Sequence, residues 1–147
     1  MKLLKYYKWI AGSMSDFANQ FHDNTQLYSQ ARSFWQQLEA HSFTLPIIIL
    51  VLGIGFAAFY YKPYNDLPHR HYKPRYWLLF LLITFIITFL VTWGFEYYAV
   101  HPRLKGANWL EVKIAIGNAI YTCIVYLLVS IVWCNWLPTN AYRIFKF

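Results

Sequence analysis

The sequence predicts an all-α fold: a small polytopic membrane protein with three transmembrane helices and an amphipathic helical region at its N-terminal end. Three observations carry this. Tyr76 to Phe95 runs for twenty residues without a charged side chain, on the order of 30 Å of helix and so the thickness of a bilayer's hydrocarbon core. Two further runs, Phe43 to Tyr61 and Ile114 to Trp136, are also uncharged. The chain as a whole is 59% hydrophobic, 22% aromatic and 13% charged, whereas a soluble domain carries roughly 25% charged residues.

Residues 1–42 read as amphipathic helix in two pieces. In Met1 to Ile10, Lys2, Lys5 and Lys8 share one side of a helical wheel and Leu3, Leu4, Tyr7 and Ile10 the other, so this piece suits the headgroup layer. Gly12 and Ser13 break the pattern, and Ser13 with Asp16 has the spacing of a capping box. Beyond it Phe17, Phe21, Tyr28, Ala31, Trp35 and Leu38 form an apolar stripe at helical spacing. The opposite face, mostly Asn, Gln and Ser, offers only Arg32 as a cation, where a helix held by anionic lipid usually has a Lys/Arg-rich face, so docking on a protein surface stands beside lying on lipid as a reading. Phe17, Phe21, Tyr28, Trp35 and Leu38 are therefore candidate docking residues, for a partner or for the chain's own surface.

The first span covers 43–61. Gly53 and Ala57, four residues apart, let another helix approach its backbone closely. A basic, Pro-rich loop follows over 62–75, and its three prolines with Asn65-Asp66 argue against regular helix. The second span covers 76–100, flanked by Arg75 and Glu96, with Tyr76, Trp77, Trp93, Tyr97 and Tyr98 at headgroup level. A loop is expected over 101–113, in which Asn108 and Glu111 have capping-box spacing. The third span covers 114–136, and 137–147 forms a C-terminal tail resting at the interface. Lys and Arg near the span ends favour a cytoplasmic 62–75 loop and C-terminus; adding Lys2, Lys5 and Lys8 reverses the count.

The net charge of +7 is scattered over short segments beside the spans, which fits anionic headgroups and not nucleic acid. Cys123 and Cys134 lie in one apolar run about 16 Å apart along a helix, too far to pair. His69-Arg70-His71 has a spacing that metal sites use, with Asp66 the nearest carboxylate, but no wider ligand cluster accompanies it. There is no GxSxG, HExxH, CxxC or glycine-rich phosphate loop. Neither a catalytic residue, a metal site, a cofactor nor a small-molecule substrate is implied.

Chemistry is concentrated in two polar stripes. Thr84, Thr88, Thr92 and Glu96 recur every fourth residue in the second span, and Asn118, Thr122, Tyr126, Ser130 and Cys134 do so in the third. Each stripe follows the ridge used in right-handed helix crossings. Facing one another they would form a polar packing seam; in an oligomer they would line a hydrated path. Glu96 would pair with a cation such as Lys113 or be solvated by headgroups. The expected role is a non-catalytic integral membrane subunit, an anchor or scaffold in a multiprotein complex of the cell inner membrane. Its partners would be lipid and other membrane subunits or copies of itself. The alternative is a small homo-oligomeric channel or membrane-disrupting effector.

Overall fold

The structure, a computed structural model, describes residues 3–66, 73–100, 104, 108–141 and 143–146. His69, Arg70, His71 and His101 lie outside these residues, as do Arg103 and Lys105. The described residues are helical, with no strand among them. A 3-10 turn, Leu3–Tyr7, leads into α1 (Lys8–Ala11), α2 (Met14–Asn19) and α3 (Thr25–His41). Three helices are long and apolar enough to cross a membrane. They are α4 (Thr44–Phe59) with the π turn Tyr60–Tyr64, α5 (Pro74–Ala99) and α6 (Asn108–Trp136). The protein is thus an all-α, multi-pass membrane protein. Outward-facing Leu50, Val51 and Ile54 on α4, Leu82, Ile86 and Leu90 on α5, and Ile124 and Leu128 on α6 are exposed, the surface that lipid chains cover.

The N-terminal region is more broken than a two-piece amphipathic helix. Leu4 and Tyr7 are both buried, and a three-residue step is the repeat of a 3-10 helix, which explains why the first turns adopt one. At Gly12 φ is +78° and ψ −163°, a conformation open essentially only to glycine, so α1 stops there. The capping box at Ser13 and Asp16 is formed, and the Asn24 side chain accepts from the backbone N–H groups of Gln26 and Leu27 to start α3.

Helix bounds elsewhere differ from those the apolar runs mark. Pro63 lacks an N–H and its ring clashes with the carbonyl four residues back. The helix widens into the π turn Tyr60–Tyr64 in place of ending at Tyr61. The Asn65 side-chain amide then donates to the Tyr60 carbonyl. Pro74 opens α5 at the position where a missing N–H costs nothing. The third span begins at Asn108, six residues before Ile114, because Glu111 and Lys113 are taken into its first turns.

By contacts the chain forms two compact units, Met1–Ile47 with Phe89–Asn118, and Ile48–Thr88 with Ala119–Phe147. In the first unit Phe17 packs against Phe21, Trp35 and Phe34 with ring centroids 5.6, 5.9 and 6.3 Å apart, while Ala31 and Leu38 are buried beside them. In the second, Tyr60, Tyr61, Trp77, Phe80 and Tyr126 form a buried aromatic cluster.

Asp16 makes the α2 cap sensitive to acid. Its Oδ2 accepts from the Ser13 hydroxyl at 2.5 Å and the Ser13 N–H at 3.0 Å. The Ser13 side chain first, and its backbone N–H second, hold the Asp16 carboxyl below its ordinary value of 3.8. A carboxyl whose folded pKa is depressed contributes stability that is complete above its unfolded value and lost as pH falls through the folded one. Protection of the α2 amides, exchange taken relative to the intrinsic rate at each pH, is expected to fall below about pH 4, and Asp16→Asn should show the lower protection already at neutral pH with no such step.

Candidate functional site

The two stripes are interior. Thr84, Thr88, Thr92, Asn118, Thr122, Tyr126 and Ser130 are fully buried, and Glu96 is 3% exposed. A buried hydroxyl or amide in lipid needs a hydrogen-bond partner from within the protein, so each one's partner decides what the seam can do.

In the first unit the seam is a relay. Tyr7, carried by the 3-10 turn, donates its hydroxyl to Asn118 Oδ1 at 2.5 Å, and Asn118 Nδ2 donates to Thr92 Oγ1 at 2.8 Å. The relay needs Gly117, where a Cβ would stand 2.9 Å from Tyr7 Cδ1 and 3.3 Å from Ile10 Cγ2. Asn118 stands in the polar stripe of the third span, and an amide in lipid needs a partner from within the protein. Tyr7 was read only as part of an apolar face; its one signal is the Leu4, Tyr7, Ile10 repeat of three.

One turn beyond Thr92, Glu96 is buried together with Glu111, 2% exposed, whose carboxyl acts on it electrostatically. Glu96 Oε2 has no hydrogen-bond partner among the described residues. Lys113 does not serve. It is exposed, because a helical step of two residues turns it about 200° from Glu111. The expected Glu96–Lys113 pair is replaced by a pair of carboxyls, a result of α6 starting early enough to aim Glu111 inward.

In the second unit the stripe residues have separate partners. Thr84 Oγ1 donates back to the Phe80 carbonyl at 2.7 Å, the local bond that Thr makes in spans. Trp77 Nε1 donates to Ser130 Oγ at 3.1 Å, and the Tyr126 ring lies 5.6 Å from that of Trp77. The Thr88 and Tyr126 hydroxyls are buried without a hydrogen-bond partner among the described residues. Tyr61 and Cys134 meet through oxygen and sulfur at 3.4 Å. Gly53 is where α6 comes closest to α4. A Cβ there would lie 2.8 Å from Val125 Cγ1 and 3.2 Å from the Thr122 carbonyl oxygen, and Ala57 is fully buried. Gly55, by contrast, has open space and borders a shallow apolar groove of about 310 Å³ with Val51, Leu52, Phe56 and Phe59.

The C-terminal tail belongs to this unit. Thr139 Oγ1 donates to the Tyr61 carbonyl at 2.9 Å and Asn135 Nδ2 to the Phe145 carbonyl at 2.8 Å. The Phe145 ring packs edge-on against Trp77 at 5.4 Å. The tail is thus folded onto the aromatic cluster.

The candidate docking residues are divided. Phe17, Trp35 and Leu38 are buried in the first unit, and Phe21 and Tyr28 are half-buried. The stripe therefore packs on the chain's own surface. Among the residues α3 leaves exposed are Gln26, Ser29, Gln30, Ser33 and Gln36, with Arg32 set 5.7 Å over the Tyr28 ring. Among the described residues no group of three or more His, Cys, Asp or Glu comes together. Comparison of the chain with family models, curated proteins and solved structures finds no match.

Proposed function

We propose that the chain is a non-catalytic integral membrane subunit, an anchor or scaffold within a multiprotein complex of the cell inner membrane. One observation supports this above the others: the nine stripe residues are enclosed within the chain. Of the polar groups that would carry chemistry or transport, Asn118, Thr92 and Ser130 are engaged in holding segments together. The chain's outward surfaces suit a subunit: apolar span faces, a backbone open to close approach at Gly55, and the polar face of α3, on which Arg32 is the one cation.

A homo-oligomeric channel is the second reading, supported by the buried hydroxyls of Thr88 and Tyr126, whose hydrogen bonds water would complete. Purification in mild detergent separates the two. For a subunit, other membrane proteins co-purify at fixed stoichiometry. Gln30→Glu with Ser33→Arg on α3 then releases them, while stability stays within about 0.5 kcal/mol of the parent, as befits exposed positions. A protein that purifies alone, conducts in planar bilayers and loses conductance in Thr88→Val would reverse the assignment in favour of the channel.

A further inference from the structure

We propose that the outer face of the Leu3–Ala11 segment binds anionic phospholipid headgroups, fixing the N-terminal region at the membrane interface. The inner face is already occupied, since Leu4, Tyr7 and Ala11 are buried and Tyr7 is held by Asn118. The outer face carries Lys5, Tyr6, Lys8 and Trp9, all exposed. Tyr6 and Trp9 are 54% and 58% exposed, and Lys5 Nζ lies 5.1 Å from the Tyr6 ring centroid. Neither the 3-10 turn nor α1 has an acidic residue in its first turn. Lys8 also acts on Asp16, leaving Lys5 as the cation most available to a phosphate. Large aromatic rings beside ammonium groups are the residue types that headgroup layers favour.

Depth selects lipid over a soluble acidic protein. The 29 residues of α6 span about 44 Å against a hydrocarbon core of about 30 Å, so roughly 7 Å of helix projects at each end. Gly117, against which Tyr7 and Ile10 pack, lies about 14 Å from the start of α6. The point of attachment therefore lies about 7 Å inside the acyl boundary, a depth from which long lysine side chains reach the headgroups. Trp93, Tyr97 and Tyr98 on α5 and Trp109 on α6, in the same unit, are exposed as well, the residue types that headgroup layers favour. Positive charge held at this level meets phosphate, and each such Lys favours an anionic surface.

The test uses the full chain in nanodiscs of phosphatidylcholine, or of phosphatidylcholine and phosphatidylglycerol in equal parts, with amide exchange read over Lys5 to Gly12. Exchange there is expected to be slower by on the order of tenfold in the anionic discs, and the difference should shrink in high salt. Lys5→Gln with Lys8→Gln should abolish it, leaving α5 and α6 protected alike in both lipids. Equal exchange of the parent protein in the two lipids would overturn the proposal without reliance on any variant. So would a lipid dependence that persists in the double substitution or is indifferent to salt, and binding of an acidic protein to the segment in phosphatidylcholine discs would reassign the surface to that partner.

Discussion

Asn118→Leu is expected to detach the N-terminal segment from α6. Leucine is close to asparagine in size but returns neither hydrogen bond, so the Tyr7 hydroxyl and Thr92 Oγ1 lose their shared partner. Thr92 has a local remedy, because a span threonine can donate to the carbonyl four residues back. Tyr7 is buried with its ring against Gly117, so its hydroxyl is left without the Asn118 acceptor. Stranding a buried donor costs about 1 to 3 kcal/mol, and the loss to Thr92 adds about 0.6 kcal/mol, the average for a bond within a bilayer. Limited trypsin digestion at Lys5 and Lys8 in detergent checks this, with cleavage accelerating by one to two orders of magnitude for about 1.4 to 3 kcal/mol of undocking. Tyr7→Phe keeps the ring and removes only the donor, and should cost about 1 kcal/mol. Cleavage at the parent rate in Asn118→Leu would show that the relay does not hold the segment.

Gly53→Ala is expected to disrupt the second unit through a single methyl group. The added carbon would meet Val125 Cγ1 at 2.8 Å and the Thr122 carbonyl oxygen at 3.2 Å. Valine in a helix is confined largely to one rotamer, and a carbonyl is backbone, so neither neighbour yields without moving α6. Overpacking of this kind costs about 1 to 3 kcal/mol, and Gly53→Leu should exceed it. Gly55→Ala supplies the control, since nothing lies within 4 Å of a Cβ there. Thermal unfolding in detergent followed by helical circular dichroism should rank the variants as Gly55→Ala near the parent, Gly53→Ala below it and Gly53→Leu lowest. Equal midpoints for the two alanine variants would contradict the close approach of α4 and α6.

Much of the fold was legible because a bilayer leaves a coarse record. An uncharged run as long as Tyr76 to Phe95 has few uses other than crossing one, and three such runs announce three spans. The ends were not legible from hydropathy, because hydropathy marks where charge stops and not where a helix starts. Glu111 and Lys113 therefore looked like loop and proved to be the first turns of α6. Pro63, read as a helix stop, is accommodated by a wider turn. Within the site, the four-residue spacing of the stripes could be read directly. Their partners could not, since Tyr7 and Asn118 are separated by 111 positions and no local pattern encodes that pairing. The same holds for the apolar stripe of α3, whose spacing shows that it must be covered but not by what.

The interleaving of the two units sets an order of events during synthesis. Each unit joins an early stretch of chain to a late one, so neither can close as the ribosome delivers it. Tyr7 emerges 111 positions ahead of the asparagine that receives it, a wait of roughly 6 to 20 seconds at ordinary elongation rates. Throughout that interval the segment has greasy and basic faces, and the α6 surface at Gly117 on which Tyr7 packs has yet to be made. The bilayer beside the translocon is the surface at hand, and the segment's two-faced character suits it to wait there until the third span arrives.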